Sequence, residues 1–256
     1  MQERTIFLRA VMLAPIFALA GLAPTRAEFK IHYPIVDYRE IEIEHNGDVT
    51  FDKRGSGANN QQSYTNELGY GFTPWWELEL ELEWDTNPNQ NLAYNATTFE
   101  NTFQLTERGK YWADLGFFAE YSHAAATGAP NDFQFGPLVQ KETNDVFGFD
   151  FVHTLNLLFT KEVGTNLSAA SPLDIAWQTR VRLSPFFEPG IEYYGEIASV
   201  SGGASGSQHR VGPVVVGLYN MYRLGKIKYE LGYQFGLNNA TERGALRWRL
   251  EYEKVF

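Results

Sequence analysis

The nonapeptide Trp76-Glu77-Leu78-Glu79-Leu80-Glu81-Leu82-Glu83-Trp84 carries a carboxylate at every second position. Successive side chains of a strand point to opposite faces, so Glu77, Glu79, Glu81 and Glu83 form one row and the leucines and tryptophans another. A row of carboxylates attracts cations and repels anions. It can also offer oxygen ligands to a hard cation such as Ca²⁺, but no histidine cluster or compact Asp/Asn/Gly loop accompanies it, so neither a metal site nor a cofactor is expected. Other polar rows repeat the spacing: Glu40, Glu42 and Glu44; Gln178, Arg180 and Arg182; Glu188, Glu192 and Glu196; Lys228 and Glu230; and Arg247, Arg249, Glu251 and Glu253.

Such rows need strands to hold them. About 9–11 residues let a tilted strand cross the hydrocarbon of a bilayer, and Trp76 and Trp84 stand where interfacial aromatic girdles belong. The nonapeptide therefore reads as a membrane strand with its glutamates facing a lumen. The same alternation begins at Tyr38 and runs to Phe51; one long strand is preferred there over a tight turn at Asn46-Gly47. It returns over Tyr64 to Phe72, where Gly69 and Gly71 make the inner face small and Glu67 is its one acid. The nonapeptide is third and Phe99 to Thr106, with Glu100 inward, fourth. Tyr111, Ala113, Leu115, Phe117, Ala119 and Tyr121 mark the outer face of a fifth strand, and Phe133 to Gln140 a sixth. Phe147 to Phe159, Ile175 to Leu183 and Ile191 to Ile197 are the seventh to ninth; Val211 to Tyr219 is apolar on both parities, and Ile227 to Phe235 and Leu246 to Phe256 complete twelve.

Short turns at Thr73-Pro74-Trp75, Glu107 to Lys110, Ser184-Pro185 and Arg223 to Lys226 alternate with long polar loops at Lys53 to Gln62, Asp85 to Asn91, His123 to Asp132, Gly164 to Pro172, Ser199 to Gln208 and Asn238 to Gly244. An even strand number with short turns on one side and long loops on the other is the pattern of a transmembrane antiparallel up-and-down β-barrel, an all-β fold.

Residues 1–27 read as a secretory signal: Arg4 and Arg9 ahead of an apolar run from Val11 to Leu22, then Thr25-Arg26-Ala27 as the cleavage site. Cleavage would leave Glu28 first in a single barrel domain, 28–256, with 18 bases against 30 acids and a net charge of −12. That balance argues against a nucleic-acid partner. There is no cysteine, so disulfides and thiolate metal sites are excluded.

The C-terminal run Leu246-Arg247-Trp248-Arg249-Leu250-Glu251-Tyr252-Glu253-Lys254-Val255-Phe256 resembles the terminal signature of bacterial outer-membrane β-barrel proteins. Phe256, Tyr252, Leu250 and Trp248 match it; Lys254 stands where an apolar or aromatic residue is usual. The resemblance implies location in the bacterial outer membrane, contact with its lipid, and assembly by the barrel-insertion machinery. Barrel phospholipases and deacylases, in the same class, imply a His-x-Ser pair on the lipid-facing parity. His32, His45, His123, His153 and His209 are followed two residues on by Pro34, Gly47, Ala125, Leu155 and Val211, so an outer-membrane lipid hydrolase ranks third and no enzyme activity is expected. His153 falls on the apolar parity, where an interfacial histidine is the simpler reading than a catalytic base.

The inward parity names the expected pore lining: Glu40, Glu42, Glu44, Glu67, Glu77, Glu79, Glu81, Glu83, Glu100, Arg180, Arg182, Glu192, Arg247 and Arg249. Closure of the last strand on the first should bring Arg247 and Arg249 beside Glu42 and Glu44. No base on a neighbouring strand serves the third-strand glutamates, which leaves one wall acidic. The expected function is a porin or small-solute channel favouring cations or zwitterions. The alternative is a closed structural or receptor barrel, filled by interlocked Glu and Arg side chains, that binds a partner through its outer loops.

Overall fold

Side chains on one parity of each alternating segment are apolar, and closing the sheet is the way to keep the other, polar parity together without leaving an edge. The computed structural model describes residues 29–55, 58–86, 91–168, 171–199 and 206–256. The signal-like residues and Ser201-Gly202-Gly203 lie outside the described residues, as do parts of the loops expected at 53–62, 85–91 and 164–172. Twelve strands follow in order: β1 (Glu40–Phe51), β2 (Gln62–Thr73), β3 (Trp76–Thr86), β4 (Ala93–Gln104), β5 (Asp114–Ala124), β6 (Asn131–Val146), β7 (Phe149–Val163), β8 (Leu173–Val181), β9 (Glu188–Ile197), β10 (Gln208–Asn220), β11 (Lys226–Gly236) and β12 (Gly244–Val255). Each pairs antiparallel with its chain neighbours, and β1 pairs with β12 from Glu40↔Val255 to Phe51↔Gly244, closing an up-and-down barrel.

The polarity is inverted relative to a water-soluble domain. Arg247, Gln178, Gln234, Glu44, Glu100, Glu192 and Glu253 are among the most deeply buried side chains, while Leu68, Leu80, Leu82, Phe99, Trp177, Leu231 and Leu250 are exposed on the outer surface. An outward apolar band around a polar interior is the signature of a transmembrane barrel. Aromatic pairs mark both ends of the band: Phe72 with Trp76 and Phe186 with Tyr219 at the short-turn end, Trp84 with Tyr94 and Tyr64 with Trp248 at the other. The two tryptophans of the nonapeptide thus sit one in each girdle. On β10, apolar on both parities, Arg210 and Val214 are the buried, inward residues.

β1 is one strand through Asn46-Gly47. Gly47 lies opposite Trp248, and the indole covers the space a Cβ would need, so the glycine is a seat for the ring and not a turn. Two local expectations are corrected. β6 runs 16 residues, past Gln140 to Val146, and Phe147 belongs to a two-residue turn with Gly148 and not to the seventh strand. Positive φ at both residues, 54° and 83°, is what a tight hairpin turn requires and Gly148 supplies at no steric cost. β5 starts at Asp114, later than Tyr111, because residues 105–113 form a braced loop: the Asp114 carboxylate accepts from Gly109 N at 2.6 Å and Thr106 Oγ1 from Leu115 N at 2.8 Å. Tyr111 is exposed on that loop and Ala113 is buried.

The unforeseen element is the stretch before β1. Residues 29–38 join no strand, and 29–36 run inside the barrel. Phe29 meets the Tyr194 ring edge-on at 5.3 Å and clusters with Ile31, Ala176 and Ala245 in the half nearer the long loops. From there the chain descends to the short-turn end and reverses at Arg39 (φ 63°), whose N–H donates to Gly71 O at 2.8 Å, before entering β1. Pro34, which has no N–H to give a ladder, lies in its middle.

Candidate functional site: the stoppered lumen

Register aligns the inward residues of β1 to β4 into rungs. Glu44, Glu67, Glu81 and Thr98 form one, Glu42, Gly69, Glu79 and Glu100 the next, and Gly71, Glu77 and Thr102 the third. Across the first two rungs lies the Lys30 ammonium, 2.5 Å from Glu67, 2.9 Å from Glu100, 3.7 Å from Glu79, 3.8 Å from Glu81 and 4.0 Å from Glu44. At an effective dielectric constant near 20, each such pair attracts by about 4 kcal/mol before desolvation is subtracted. The acidic wall therefore does have a counter-charge, which corrects the expectation from adjacent strands. It comes from the N-terminal segment, by a route strand parity does not reveal.

Other side chains hold the same segment. Asn156 grips the backbone of His32 on both sides, accepting from its N–H at 2.9 Å and donating to its carbonyl at 2.8 Å. The His32 ring lies 4.1 Å from that of Phe118, which with Leu138 and Leu158 makes an apolar patch inside the lumen. Arg249 donates to Ile31 O at 3.0 Å, and Gln104 accepts from Val36 N at 2.9 Å. The Tyr33 hydroxyl donates to Glu230 at 2.9 Å and accepts from Arg180 at 3.0 Å.

Of the predicted lining residues, Arg249 pairs with Glu44 and reaches Glu42 at 4.0 Å, as closure of β12 on β1 implies. Arg247 does not join them: its side chain crosses to β9 and β11, bonding Glu192 through Nε at 2.7 Å and Glu230 at 2.8 Å. The Glu192 carboxylate also accepts from Gln178 at 2.8 Å and Gln234 at 3.0 Å, so this half of the lumen is filled by an interlocked network. Arg180 pairs with Glu188 at 2.9 Å. Arg182 stands exposed at the short-turn rim with Glu142 and Glu188. Glu83 lies apart from the Lys30 cage, accepting from Thr98 at 2.5 Å and Ser122 at 3.4 Å.

Below the stopper, toward the short turns, a cavity of about 640 Å³ remains. Glu40, Glu42, Glu77 and Glu79 line one side, Arg180, Arg182 and Glu188 another, with Lys228 and Glu251 between them and Tyr33 among its walls. Lys228 is engaged by Glu251 at 2.9 Å and Lys226 by Glu40 at 3.2 Å. Sequence reasoning missed Lys30, His32 and Tyr33. Two signals were available: the lone lysine just after the expected cleavage point, and a proline that disqualifies the segment as a central strand.

His153 sits on the outer face between two threonines, its Nε2 2.7 Å from Thr143 Oγ1 and its Nδ1 2.9 Å from Thr179 Oγ1. Both ring nitrogens are thereby engaged by neutral hydroxyls, which is the interfacial arrangement. Among the described residues no carboxylate is hydrogen-bonded to the ring.

The sequence matches no protein-family model and no curated protein. Among solved structures, the chain is similar to the translocator domain of autotransporter NalP from Neisseria meningitidis, with a TM-score of 0.59 and 12% identity over 85% of this chain and 88% of that one. It also aligns with a bacterial polysaccharide outer membrane secretin (TM-score 0.44, 9% identity, 86% and 99% covered). A third alignment is with Salmonella typhi OmpF in complex with daunomycin (TM-score 0.30, 8% identity, 84% and 96% covered). The fold is that of bacterial outer-membrane β-barrels.

Proposed function

We propose that this protein is an outer-membrane channel for small solutes, favouring cations, whose lumen is stoppered by its own residues 29–38. One observation carries the reading. The bonds that fix the segment between Lys30 and Val36 run to strand side chains and not to the backbone ladders, so it can leave the lumen while every rung of the barrel stays intact. The wall it would uncover, with Glu44, Glu67, Glu79, Glu81 and Glu100, is acidic, and rings of carboxylate select cations. The vestibule at the short-turn end would face the periplasm, where outer-membrane barrels place their short turns.

A second reading, a closed structural or receptor barrel acting through its long loops, is favoured by the interlocking of Arg247, Glu192, Glu230, Gln178 and Gln234. Planar-bilayer recording on the refolded protein separates the two. The full chain is expected to show rare, brief openings, and a variant lacking residues 29–36 a steady cation-preferring conductance. A deletion variant that folds but never conducts at high salt would sink the channel reading. In the conducting variant, replacing Glu79, Glu81 and Glu83 together by Gln should lower the cation-to-anion permeability ratio severalfold; an unchanged ratio would remove these carboxylates from the conducting path.

A further inference from the structure

The outward row of β6 is apolar from Phe133 to Val139 and then turns polar at Lys141 and Thr143, near the short-turn end. Register sets Lys141 opposite His153 on β7 and His153 opposite Thr179 on β8, so an ammonium, an imidazole and a hydroxyl share one outward rung. Thr143 is joined to it through the His153 ring. The next rung toward the long loops, Val139, Leu155 and Trp177, is wholly apolar. At the polar rung the neighbouring strands run out: β5 begins at Asp114, opposite Gln140, and β8 ends at Val181, opposite Phe151. Only the β6–β7 hairpin continues past it. The rung therefore lies at the rim of the lipid-facing band, where a charge on that face costs least. The Lys141 ammonium reaches toward that rim, 5.2 Å from the ring centroid of Trp112, a 71% exposed residue of the short-turn loop 105–113. That ring is its one partner among the described residues, with which it makes no hydrogen bond or ion pair. The outward rows of β6 from Asn131 to Thr143, of β7 and of β8 hold no Asp or Glu.

We propose that Lys141, Thr143, His153 and Thr179 bind the phosphodiester of one phospholipid in the leaflet at the short-turn end, with an acyl chain laid along Val139, Leu155 and Trp177. The donors fit that group. The ammonium has three N–H to give and no acceptor. A neutral imidazole has one donor and one acceptor nitrogen, so of the two threonines at 2.7 Å and 2.9 Å one gives its proton to the ring, and the other takes the ring's proton and keeps its own O–H to donate. A phosphodiester offers only acceptor oxygens, and hydrogen bonds from an ammonium to such an anion are of the strong, charge-assisted kind. Head and tail are matched in order, because the polar rung stands at the rim and the apolar rung next to it faces the hydrocarbon. The rows also choose the head. A glycerol head leaves the lipid anionic, whereas the ammonium of an ethanolamine head would meet Lys141 and find no carboxylate on these strands. The site lies on the outside of the barrel and does not depend on whether the lumen conducts.

The test is native mass spectrometry of the refolded full chain, released from non-ionic detergent after titration with phosphatidylglycerol, phosphatidylethanolamine or glycerol 3-phosphate. Saturable retention of one phosphatidylglycerol per barrel is expected, with the other two probes each at least tenfold weaker. Lys141→Gln should weaken phosphatidylglycerol at least tenfold. Thr143→Val with Thr179→Val, which removes the hydroxyls and keeps the shape, should weaken it severalfold, and the corresponding pair of Ser variants should bind as the parent does. Lys161→Gln, on the same face of β7 at its long-loop end, should change nothing. The heat-modifiable gel shift identifies the variants that have folded, and the comparison is made among those. The proposal is overturned by equal retention of the two phospholipids, by parent-like binding in the Lys141→Gln barrel, or by glycerol 3-phosphate binding as tightly as the lipid. It is overturned as well by a lipid-free dimer that Lys141→Gln dissolves, which would make the rung a contact between two copies of the chain.

Discussion

Lys30→Met should release the stopper. Lys30 is the charged contact of residues 29–38 with the acidic wall, and removing one partner of a buried ionic cluster costs about 3–5 kcal/mol, because the carboxylates left behind lose their compensation. Methionine keeps the apolar stem, so the loss is of charge and not of volume. The barrel ladders are untouched, and the cost therefore falls on the plugged conformation relative to the open one. At 1.4 kcal/mol per factor of ten, the open fraction should rise on the order of a hundred- to a thousandfold. Two measurements read it independently. Single-channel recording should show long openings in place of rare ones, and the backbone N–H of His32, held by Asn156, should lose its protection against hydrogen exchange. Lys30→Arg, which keeps a cation, should stay nearer to the parent. If Lys30→Met leaves both the closed state and the His32 protection as they were, the apolar contacts of Phe29, Ile31 and His32 hold the segment without help from the charge.

The same residue marks how far the sequence could be read. Period-two alternation is a local property, and it located β1 to β12, with slips at strand ends: β4 begins at Ala93 and not Phe99, β8 ends at Val181 and not Leu183, and loop chemistry intervened at the positive-φ pair Phe147-Gly148 and the Thr106/Asp114 brace. Parity accounts for the buried, inward placement of Glu44, Glu67, Glu81, Glu100, Glu192, Arg247 and Arg249, because a strand has only two faces, whereas Arg182 lies past the end of β8 and stands exposed at the rim. What parity cannot say is which inward residues meet across a lumen. Arg249 reached its expected Glu44 because they sit on paired strands close to the same rung; Arg247, two residues away, found Glu192 three strands off. Lys30 lies on no strand, so neither rule applied to it. Its nearest partners are Glu67 on β2 and Glu100 on β4, with Glu79 and Glu81 of the third strand next, and it reaches them from the stretch ahead of the first rung.

Arg247→Met is expected to destabilise the barrel itself. Its guanidinium is 2% exposed, bonds Glu192 and Glu230 together, and lies over the Tyr194 ring with 5.8 Å to the centroid. With it gone, Glu192 keeps the amides of Gln178 and Gln234 and Glu230 keeps the Tyr33 hydroxyl, but both charges remain in the lumen with their shared cation removed. The expected cost is again about 3–5 kcal/mol, now on the folded barrel, seen as a lower urea midpoint in the heat-modifiable gel shift or tryptophan fluorescence. Adding Glu192→Gln should return part of it, since the amide needs no counter-charge and its one oxygen still accepts from Gln178 or from Gln234. In a double-mutant cycle the pair should couple by at least about 1–3 kcal/mol. Lys110→Ala, which breaks only the exposed Lys110–Glu107 pair at 2.7 Å, should leave the midpoint where it was. Additive effects of Arg247→Met and Glu192→Gln would mean that the two groups do not depend on each other. In that case the filling of this half of the lumen, and with it the closed-barrel reading, would lose its basis.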